Sequence, residues 1–213
     1  MSLQTHDQVG NRATGDRLSE SLSPGLLAAG AALLLTGPAT PMLFMGEEWG
    51  ASTPWQYFTD YTDRGIAEAV RRGRRNEFES HGWDRAHVPD PQSEATVQRS
   101  RLDWSEVGEP GHARLLEWYS ALVRLRRERP ELGDPRLDLV EVDHDTDART
   151  VVMRRGTQLV VLNLSEEHRT VALGVDDTAD LEVVLAWEPD ATRLDGTCLE
   201  LPAESAAIVG PPD

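Results

Sequence analysis

Cysteine is almost absent from this sequence. Cys198 is the single one in 213 residues, so no disulfide can form within the chain and nothing indicates an oxidising compartment. Basic residues are scarce too: 21 Lys and Arg stand against 37 Asp and Glu, a net charge of −16. Because phosphate recognition requires a basic face, we expect no nucleic-acid partner.

Long hydrophobic runs are also missing. The most apolar stretch, Leu26–Leu35, has ten residues without a charge, about half of the ~20 that a membrane-spanning helix needs. Asp7, Asp16 and Glu20 precede it, where a secretion signal would carry basic residues. We therefore expect no membrane partner and a soluble, cytoplasmic protein in which this stretch is a helix buried on most sides.

Helical patterns dominate the first part of the chain. Ser23-Pro24 is typical of a helix start and Thr36-Gly37-Pro38 of a helix end, so we predict a helix to about Leu35. Met42–Met45 is a short apolar run bounded by proline and glycine, which predicts a buried strand of a parallel sheet. A helix followed by such a strand is half of a βα repeat.

Loops and helices alternate beyond this point. We predict a loop over Gly50–Asp63, a helix over Ile66–Phe78 and a long ordered loop over Ser80–Gly111. Ala113–Arg129 is the clearest helix, because leucines and aromatic residues recur on one broad face, and Pro130 ends it. The predicted helix over residues 66–78 should carry four arginines on its outer side: Arg71, Arg72, Arg74 and Arg75.

The pattern changes after Pro135 to short strands separated by turns. Seven strands are predicted: Leu137–Val142, Thr150–Arg155, Gln158–Leu164, Arg169–Leu173, Leu181–Trp187, Thr197–Leu201 and Ala206–Val209. Gly156-Thr157 lies between two of them and predicts a hairpin. Seven short strands with frequent turns indicate an antiparallel β-sandwich. We therefore expect two domains, residues 1–134 and residues 135–213.

Two motifs in the first part carry chemistry. The first is Thr5-His6-Asp7-Gln8-Val9-Gly10-Asn11-Arg12. The second follows about thirty residues on and reads Gly37-Pro38-Ala39-Thr40-Pro41-Met42-Leu43-Phe44-Met45-Gly46-Glu47-Glu48. A His-Asp pair alone is a weak indication of a site. The second block, with its glycines, apolar run and carboxylate pair, makes the combination specific.

Together the two blocks resemble the fourth and seventh conserved regions of glycoside hydrolase family 13, the α-amylase superfamily. There a His-Asp pair follows the seventh barrel strand, and the second block spans the eighth. The text from Phe44 to Asp60, and Arg101-Leu102-Asp103-Trp104, are similar more specifically to the malto-oligosyltrehalose trehalohydrolase family. The resemblance implies the C-terminal part of a (β/α)8 TIM barrel, incomplete over residues 1–134, joined to the antiparallel β-sandwich.

The resemblance also implies roles for individual residues. Retaining glycosidases use one carboxylate as nucleophile and another as acid and base, and the superfamily adds a third that stabilises the transition state. By resemblance Asp7 is this third carboxylate, and His6 hydrogen-bonds the sugar. The other substrate-binding candidates are Gln8, Arg12, Trp49 and Trp55. No cofactor and no metal is expected, since the carboxylates carry out the reaction.

The implied substrate is an α-glucan, malto-oligosyltrehalose, cleaved at the α-1,4 bond next to its terminal trehalose unit. The superfamily's nucleophile and general acid come from earlier strands, yet only five residues precede His6. A closed barrel takes about 250 residues, and the part before the sandwich has roughly half of that. We therefore expect an inactive C-terminal fragment, whose natural partner would be the N-terminal part of the barrel.

Several alternatives stay open at this point. The chain is otherwise a noncatalytic carbohydrate-associated module, although such a module has no use for a His-Asp pair, or a fragment of a glucan-branching enzyme. Glu47 and Glu48 either support the loop after the eighth strand or contact substrate. Three aromatic residues either stack on sugars or pack the loop: Trp49, Trp55 and Tyr57. Thr5 stands where close relatives would have asparagine.

A calcium site is a further candidate to weigh, at the acidic turn 143–147. The segment Asp143-His144-Asp145-Thr146-Asp147 lacks the glycine and the distal glutamate of a calcium loop. We expect a solvated turn between strands.

Overall fold

The computed structural model of the chain describes residues 1–80, 82–176 and 180–212. The chain divides into two compact units that interleave along the sequence. Unit 1 comprises Met1–Leu3, Leu22–Met42 and Ala113–Asp213, and unit 2 comprises Gln4–Ser21 and Leu43–His112. These two units differ from the two predicted domains, residues 1–134 and residues 135–213. The predicted domain boundary stays a prediction.

Helices precede the strands along the chain, as the sequence predicted. The helices are α1 (His6–Gly10), α2 (Leu18–Ser21), α3 (Pro24–Thr36), α4 (Arg64–Ser80), α5 (Glu94–Arg99), α6 (Pro110–Glu128) and α7 (Pro130–Gly133). The strands are β1 (Val140–Asp145), β2 (Thr150–Arg155), β3 (Gln158–Asn163), β4 (Arg169–Ala172), β5 (Glu182–Ala186), β6 (Arg193–Asp195), β7 (Cys198–Leu201) and β8 (Ser205–Gly210). None of the described helices combines the length and the apolar character that crossing a bilayer requires.

Unit 1 contains two antiparallel sheets, which confirms the predicted antiparallel β domain. One sheet has the strand order β1-β2-β3-β8-β5, and the other has the order β4-β7-β6. The predicted hairpin joins β2 to β3, with Arg155 opposite Gln158. Gly156 in this turn has a φ of 62°, a conformation that favours glycine.

All seven predicted strands are present, with two differences. The first starts later, because Leu137–Leu139 forms a 3₁₀ turn in which Leu137 is 75% exposed. Strand β6, Arg193–Asp195, was not predicted, because it is only three residues long and has one apolar side chain.

The central strands β3 and β8 are buried along their whole length. One face of β3 presents Leu159 and Val161 to the second sheet, where they form a cluster with Val171, Leu199 and Leu201. The opposite face of the sheet packs against α3 and α6 in a larger cluster. Its buried members include Ala28, Ala32, Leu35, Leu115, Trp118, Leu122, Val160, Leu162 and Ile208. The sheet is therefore covered on both faces within unit 1.

Helix α3 confirms the predicted bounds closely. Ser23 caps it by accepting a 3.1 Å hydrogen bond from the Leu26 N–H, and it ends at Thr36 with Gly37 as its C-cap. A Cβ at Gly25 would lie 1.8 Å from the Glu204 carbonyl oxygen, so the close approach of this helix to the strand region requires glycine there. At its other end, Arg126 donates to the Leu35 carbonyl at 2.8 Å.

Unit 2 has a much smaller apolar core. Its buried apolar cluster consists of Ala13, Phe78 and Val88. The loop predicted over Gly50–Asp63 is confirmed, and α4 confirms the helix predicted over Ile66–Phe78. Polar contacts have a larger share in holding this unit together.

The strand predicted over Met42–Met45 is wrong. Met42, Leu43 and Met45 are 53%, 38% and 39% exposed. The Met42 N–H donates to the Met1 carbonyl at 2.8 Å, but the run forms no ladder with any strand in the described part of the chain. Without neighbouring strands to satisfy its backbone, an apolar run of this kind does not become a strand.

Two other expectations need correction. The long loop over Ser80–Gly111 contains α5 and 3₁₀ turns at Arg85–His87 and Trp104–Gly108, because polar composition alone does not exclude short helices. Arg74 does not lie on the outer side of α4. Its side chain is only 9% exposed, since it is enclosed by aromatic rings.

Candidate active-site segment

His6 and Asp7 lie in the first turn of α1, a helix of five residues. Thr5 is its N-cap, and its hydroxyl accepts a hydrogen bond from the Gln8 N–H at 3.3 Å. Threonine, like asparagine, is a favourable N-cap. The departure from the family pattern at Thr5 therefore keeps the capping function while changing the side chain.

The His-Asp pair is open to solvent. His6 Nε2 lies 3.3 Å from Asp7 Oδ1, and the two side chains are 70% and 79% exposed. Val9 and Gly10 on the same helix are buried. Helix α1 is thus anchored through its C-terminal end, and its N-terminal turn presents an imidazole and a carboxylate outward.

Trp55 lies beside the buried end of α1. Its indole Cδ1 would be 3.6 Å from a Cβ at Gly10, and its backbone N–H donates to the Gly15 carbonyl at 2.8 Å. Its ring makes edge-to-face contacts with Phe44 and Phe58, with centroids 5.9 and 5.3 Å apart. The half-buried Trp55 is therefore brought together with the predicted site helix.

Gln8 and Arg12 are exposed on the same segment. Arg12 forms an ion pair with Asp16, four residues further on. Burial raises the pKa of the Asp16 carboxyl, but hydrogen bonds from Thr14 and Arg12 outweigh this and leave the pKa below its ordinary value. Asp16 thus stays ionised and orients the guanidinium of Arg12.

Trp49 does not lie with this group, and its role in substrate binding stays a prediction. It is 2% exposed, and its indole N–H donates to Glu106 Oε1 at 3.1 Å. Its ring packs at 4.9 Å against that of Trp104. These contacts favour the packing alternative for Trp49 over stacking on a sugar.

Glu106 has a structural role that was not predicted from the sequence. Besides Trp49, its carboxylate accepts hydrogen bonds from the Ser52 N–H at 3.1 Å and the Ser52 hydroxyl at 2.6 Å. Burial raises its pKa, but the hydrogen bonds from Ser52 and Trp49 outweigh burial and hold the pKa below its ordinary value of 4.5. The carboxylate fixes the loop after Gly46 to the 3₁₀ turn at Trp104–Gly108.

Arg17 is the second residue that the sequence analysis missed. It is 1% exposed and donates to the carbonyls of Thr53 at 2.5 Å and Met45 at 2.8 Å. Burial lowers the pKa of its guanidinium, and Glu106 and Glu47 oppose that change. Arg17 therefore joins the segment after α1 to the loop of the carboxylate pair, which supports the structural interpretation of Glu47.

No group of three His, Cys, Asp or Glu side chains with metal-binding geometry occurs among the described residues. In the acidic segment 143–147, residues 143–145 form the end of β1 and only residues 146 and 147 lie in the turn predicted there. The segment lines a cavity of about 560 Å³ together with β4. None of the predicted site residues lines this cavity.

Known proteins are similar to this chain in sequence. Residues 135–208 match a family model described as a domain of unknown function (DUF3459). Over 206 residues, 97% of the chain, the sequence is 52% identical to a malto-oligosyltrehalose trehalohydrolase from Rhizobium sp. (strain M-11). A protein of the same name from Brevibacterium helvolum is 50% identical over the same share. Each alignment covers 34% of the relative, so the chain spans about a third of their length.

A solved structure is similar over nearly the whole chain as well. It is described as a putative alpha amylase from Salmonella typhimurium, with a TM-score of 0.78 and 31% sequence identity. The match covers 98% of this chain and 34% of that one. The resemblance inferred from the two motifs is therefore confirmed by both comparisons.

Proposed function

This chain is related in sequence to the malto-oligosyltrehalose trehalohydrolases, and we propose that it is the C-terminal part of a retaining glycoside hydrolase of that kind. The full-length enzyme hydrolyses the α-1,4-glucosidic bond adjacent to the terminal trehalose unit of malto-oligosyltrehalose and releases trehalose. The observation that carries this proposal is the identity of 52% and 50% to two proteins of that name across 97% of the chain.

The geometry of α1 supports a role for its first turn in this reaction. Asp7 and His6 are side by side and largely exposed, so both are free to meet a ligand. The charge that develops on a sugar ring during glycoside cleavage is positive. A fixed carboxylate next to it stabilises the transition state more than the neutral substrate, and this differential binding accelerates the reaction.

In this proposal His6 donates a hydrogen bond to a sugar hydroxyl beside Asp7. Gln8 and Arg12 extend the polar surface along α1 and the segment after it. Trp55 contributes an apolar ring edge close to Gly10. The nucleophile and the general acid come from parts of the enzyme outside this chain.

The same proposal accounts for the exposed run at 42–45. A strand in a closed barrel has neighbours at both edges and helices outside it. Met42, Leu43 and Met45 have apolar side chains suited to those surroundings but are more than a third exposed here. We propose that residues 1–134 form the last part of a (β/α)8 barrel and residues 135–213 the C-terminal β domain.

The test is a product assay with malto-oligosyltrehalose, using the full-length enzyme and the isolated 213-residue chain. The full-length enzyme should release trehalose at an enzyme-like rate, and the isolated chain should release none above background, because two of the three carboxylates are missing. A full-length enzyme that elongates or branches the glucan and frees no trehalose would favour the glucan-branching alternative and refute the proposal.

A further inference from the structure

We propose that Arg74 of α4 is a positioning residue that fixes α1 and thereby the orientation of Asp7. This inference rests on the proposed function, since it concerns the same segment. It is carried by the contacts of Arg74 rather than by the family resemblance, in which the residue has no part.

The guanidinium of Arg74 reaches from α4 to the C-terminal end of α1. It donates a hydrogen bond to the Gly10 carbonyl and lies 3.4 Å from Asn11 Oδ1. These two acceptors are 64 and 63 residues away along the chain. Arg74 thus connects α4 to the end of α1, the helix whose first turn holds His6 and Asp7.

Helix α1 needs contacts from outside because it is short. Five residues make little more than one turn, and isolated helices shorter than about 12 residues are marginal in water. The last carbonyls of a helix also have no partner within it. The Asn11 N–H and the Asp7 carbonyl close the final turn at 3.0 Å, and Arg74 satisfies the Gly10 carbonyl from outside.

The surroundings of Arg74 hold its side chain in one place. The guanidinium carbon lies 4.8 Å from the centroid of the Tyr57 ring and 4.7 Å from that of Phe78. A cation between two aromatic faces is attracted by both rings. Its side chain is 9% exposed, so water competes little for its donors.

Charge also suits this position. The C-terminal end of a helix carries a partial negative charge, which favours a cation. A guanidinium stays protonated at any physiological pH. An apolar side chain of similar length would fill the space between the rings but leave the Gly10 carbonyl without its partner.

The experiment compares Arg74→Met, Arg74→Lys and Arg72→Met in the full-length enzyme, with trehalose release and amide hydrogen exchange as readouts. Arg72 is the matched control, because it is exposed on the same helix. We expect Arg74→Met to lower kcat by roughly ten- to a hundredfold with KM changed less than about threefold, since small misplacements of a reacting group have effects of that size. Arg74→Lys, which retains one donor, should lose less.

Hydrogen exchange separates positioning from loss of folding. The amides of Val9 and Asn11 should exchange faster in Arg74→Met, while those of β3 and β8 keep their protection. Arg72→Met should match the unmodified enzyme in both readouts. Unchanged kcat and unchanged α1 exchange in Arg74→Met would overturn the inference, as would equal kcat losses for Arg74→Met and Arg72→Met. Asp7→Asn in the same assay tests the proposed function separately, and the exchange rates of α1 test Arg74 whatever that result.

Discussion

The two units of this chain are stabilised in different ways. Unit 1 covers both faces of its larger sheet with its own residues, and strand β3 is buried throughout. Among its described residues, unit 2 has a small apolar cluster of Ala13, Phe78 and Val88, and it buries an arginine and a glutamate. Arg17, at 1% exposure, and Glu106, at 6%, each hold a loop by several hydrogen bonds.

This difference shows what each unit is suited to. Apolar burial is non-directional and provides most of the stability of a domain. Hydrogen bonds and charge pairs in a buried setting contribute less net stability but define positions, because their geometry is directional. The segment with His6 and Asp7 lies in the unit that is held by directional contacts, and the following predictions test that contrast.

The largest effect is expected from removing a core side chain of unit 1. Leu122 of α6 is fully buried in the larger apolar cluster. Leu122→Ala should lower the free energy of unfolding by about 2–5 kcal/mol, through lost apolar burial and the cavity left behind. Denaturant unfolding of the 213-residue chain measures this. Leu137→Ala is the control, because Leu137 is 75% exposed and should cost less than about 0.5 kcal/mol. Equal losses would show that the cluster does not hold the unit.

A smaller and local effect is expected in unit 2. Arg17→Met keeps the length of the side chain but leaves the Thr53 and Met45 carbonyls without their donor. The opening free energy of residues 43–55, measured by hydrogen exchange, should fall by about 1–3 kcal/mol. Amides of β3 should not change. Arg101→Met, at an exposed position, is the control, and a loss of protection spread through unit 1 would contradict the account.

The smallest effect is a dependence on pH. The pKa of Glu106 in the folded chain lies below its ordinary value of 4.5. Its contribution to stability is therefore fully present above pH 4.5 and is lost as the pH falls through the lowered pKa. His112 also faces this site, with Nδ1 2.8 Å from the Trp49 carbonyl oxygen and Nε2 4.0 Å from Glu106, so the measurement uses a His112→Gln background. There the indole N–H resonance of Trp49, which donates to Glu106, should stay constant from pH 7 to about 5 and shift only in more acidic solution. Adding Glu106→Gln should abolish that shift. A titration of this resonance near pH 6 in the His112→Gln background would show that the pKa of Glu106 is raised instead.

The sequence predicted elements well wherever a local rule applied. The Ser23-Pro24 start and the Gly37 end of α3 follow from capping chemistry, and the hairpin at Gly156 follows from turn geometry. The strand prediction for residues 42–45 was wrong for a physical reason. A buried strand is defined by its neighbouring strands, and the described part of the chain supplies none. Helix α5 was not predicted, because its six residues include only two apolar ones, Ala95 and Val97, and show no apolar period.

The same difference between local patterns and distant contacts applies to the site residues. The exposed pair at His6 and Asp7 was recognised from a motif, and the structure places it on a capped helix turn. For Trp49 the sequence left stacking and packing open, because a sequence does not distinguish an aromatic ring that is exposed to a ligand from one that is buried. Arg17 and Arg74 were not recognised, since their partners are 28 to 64 residues away along the chain. No local pattern marks such a contact.

The most direct test of the central claim, that α1 belongs to an α-glucan active site, is the kinetics of Asp7→Asn in the full-length enzyme. Trehalose release from malto-oligosyltrehalose should fall in kcat by about a hundredfold or more, because the carboxylate acts on charge that develops in the transition state. Substrate affinity, measured separately by equilibrium binding, should change less than about threefold. Asp60→Asn, at another exposed position of unit 2, should leave both unchanged. An Asp7→Asn enzyme that keeps most of its turnover would contradict the assignment of α1 to the active site.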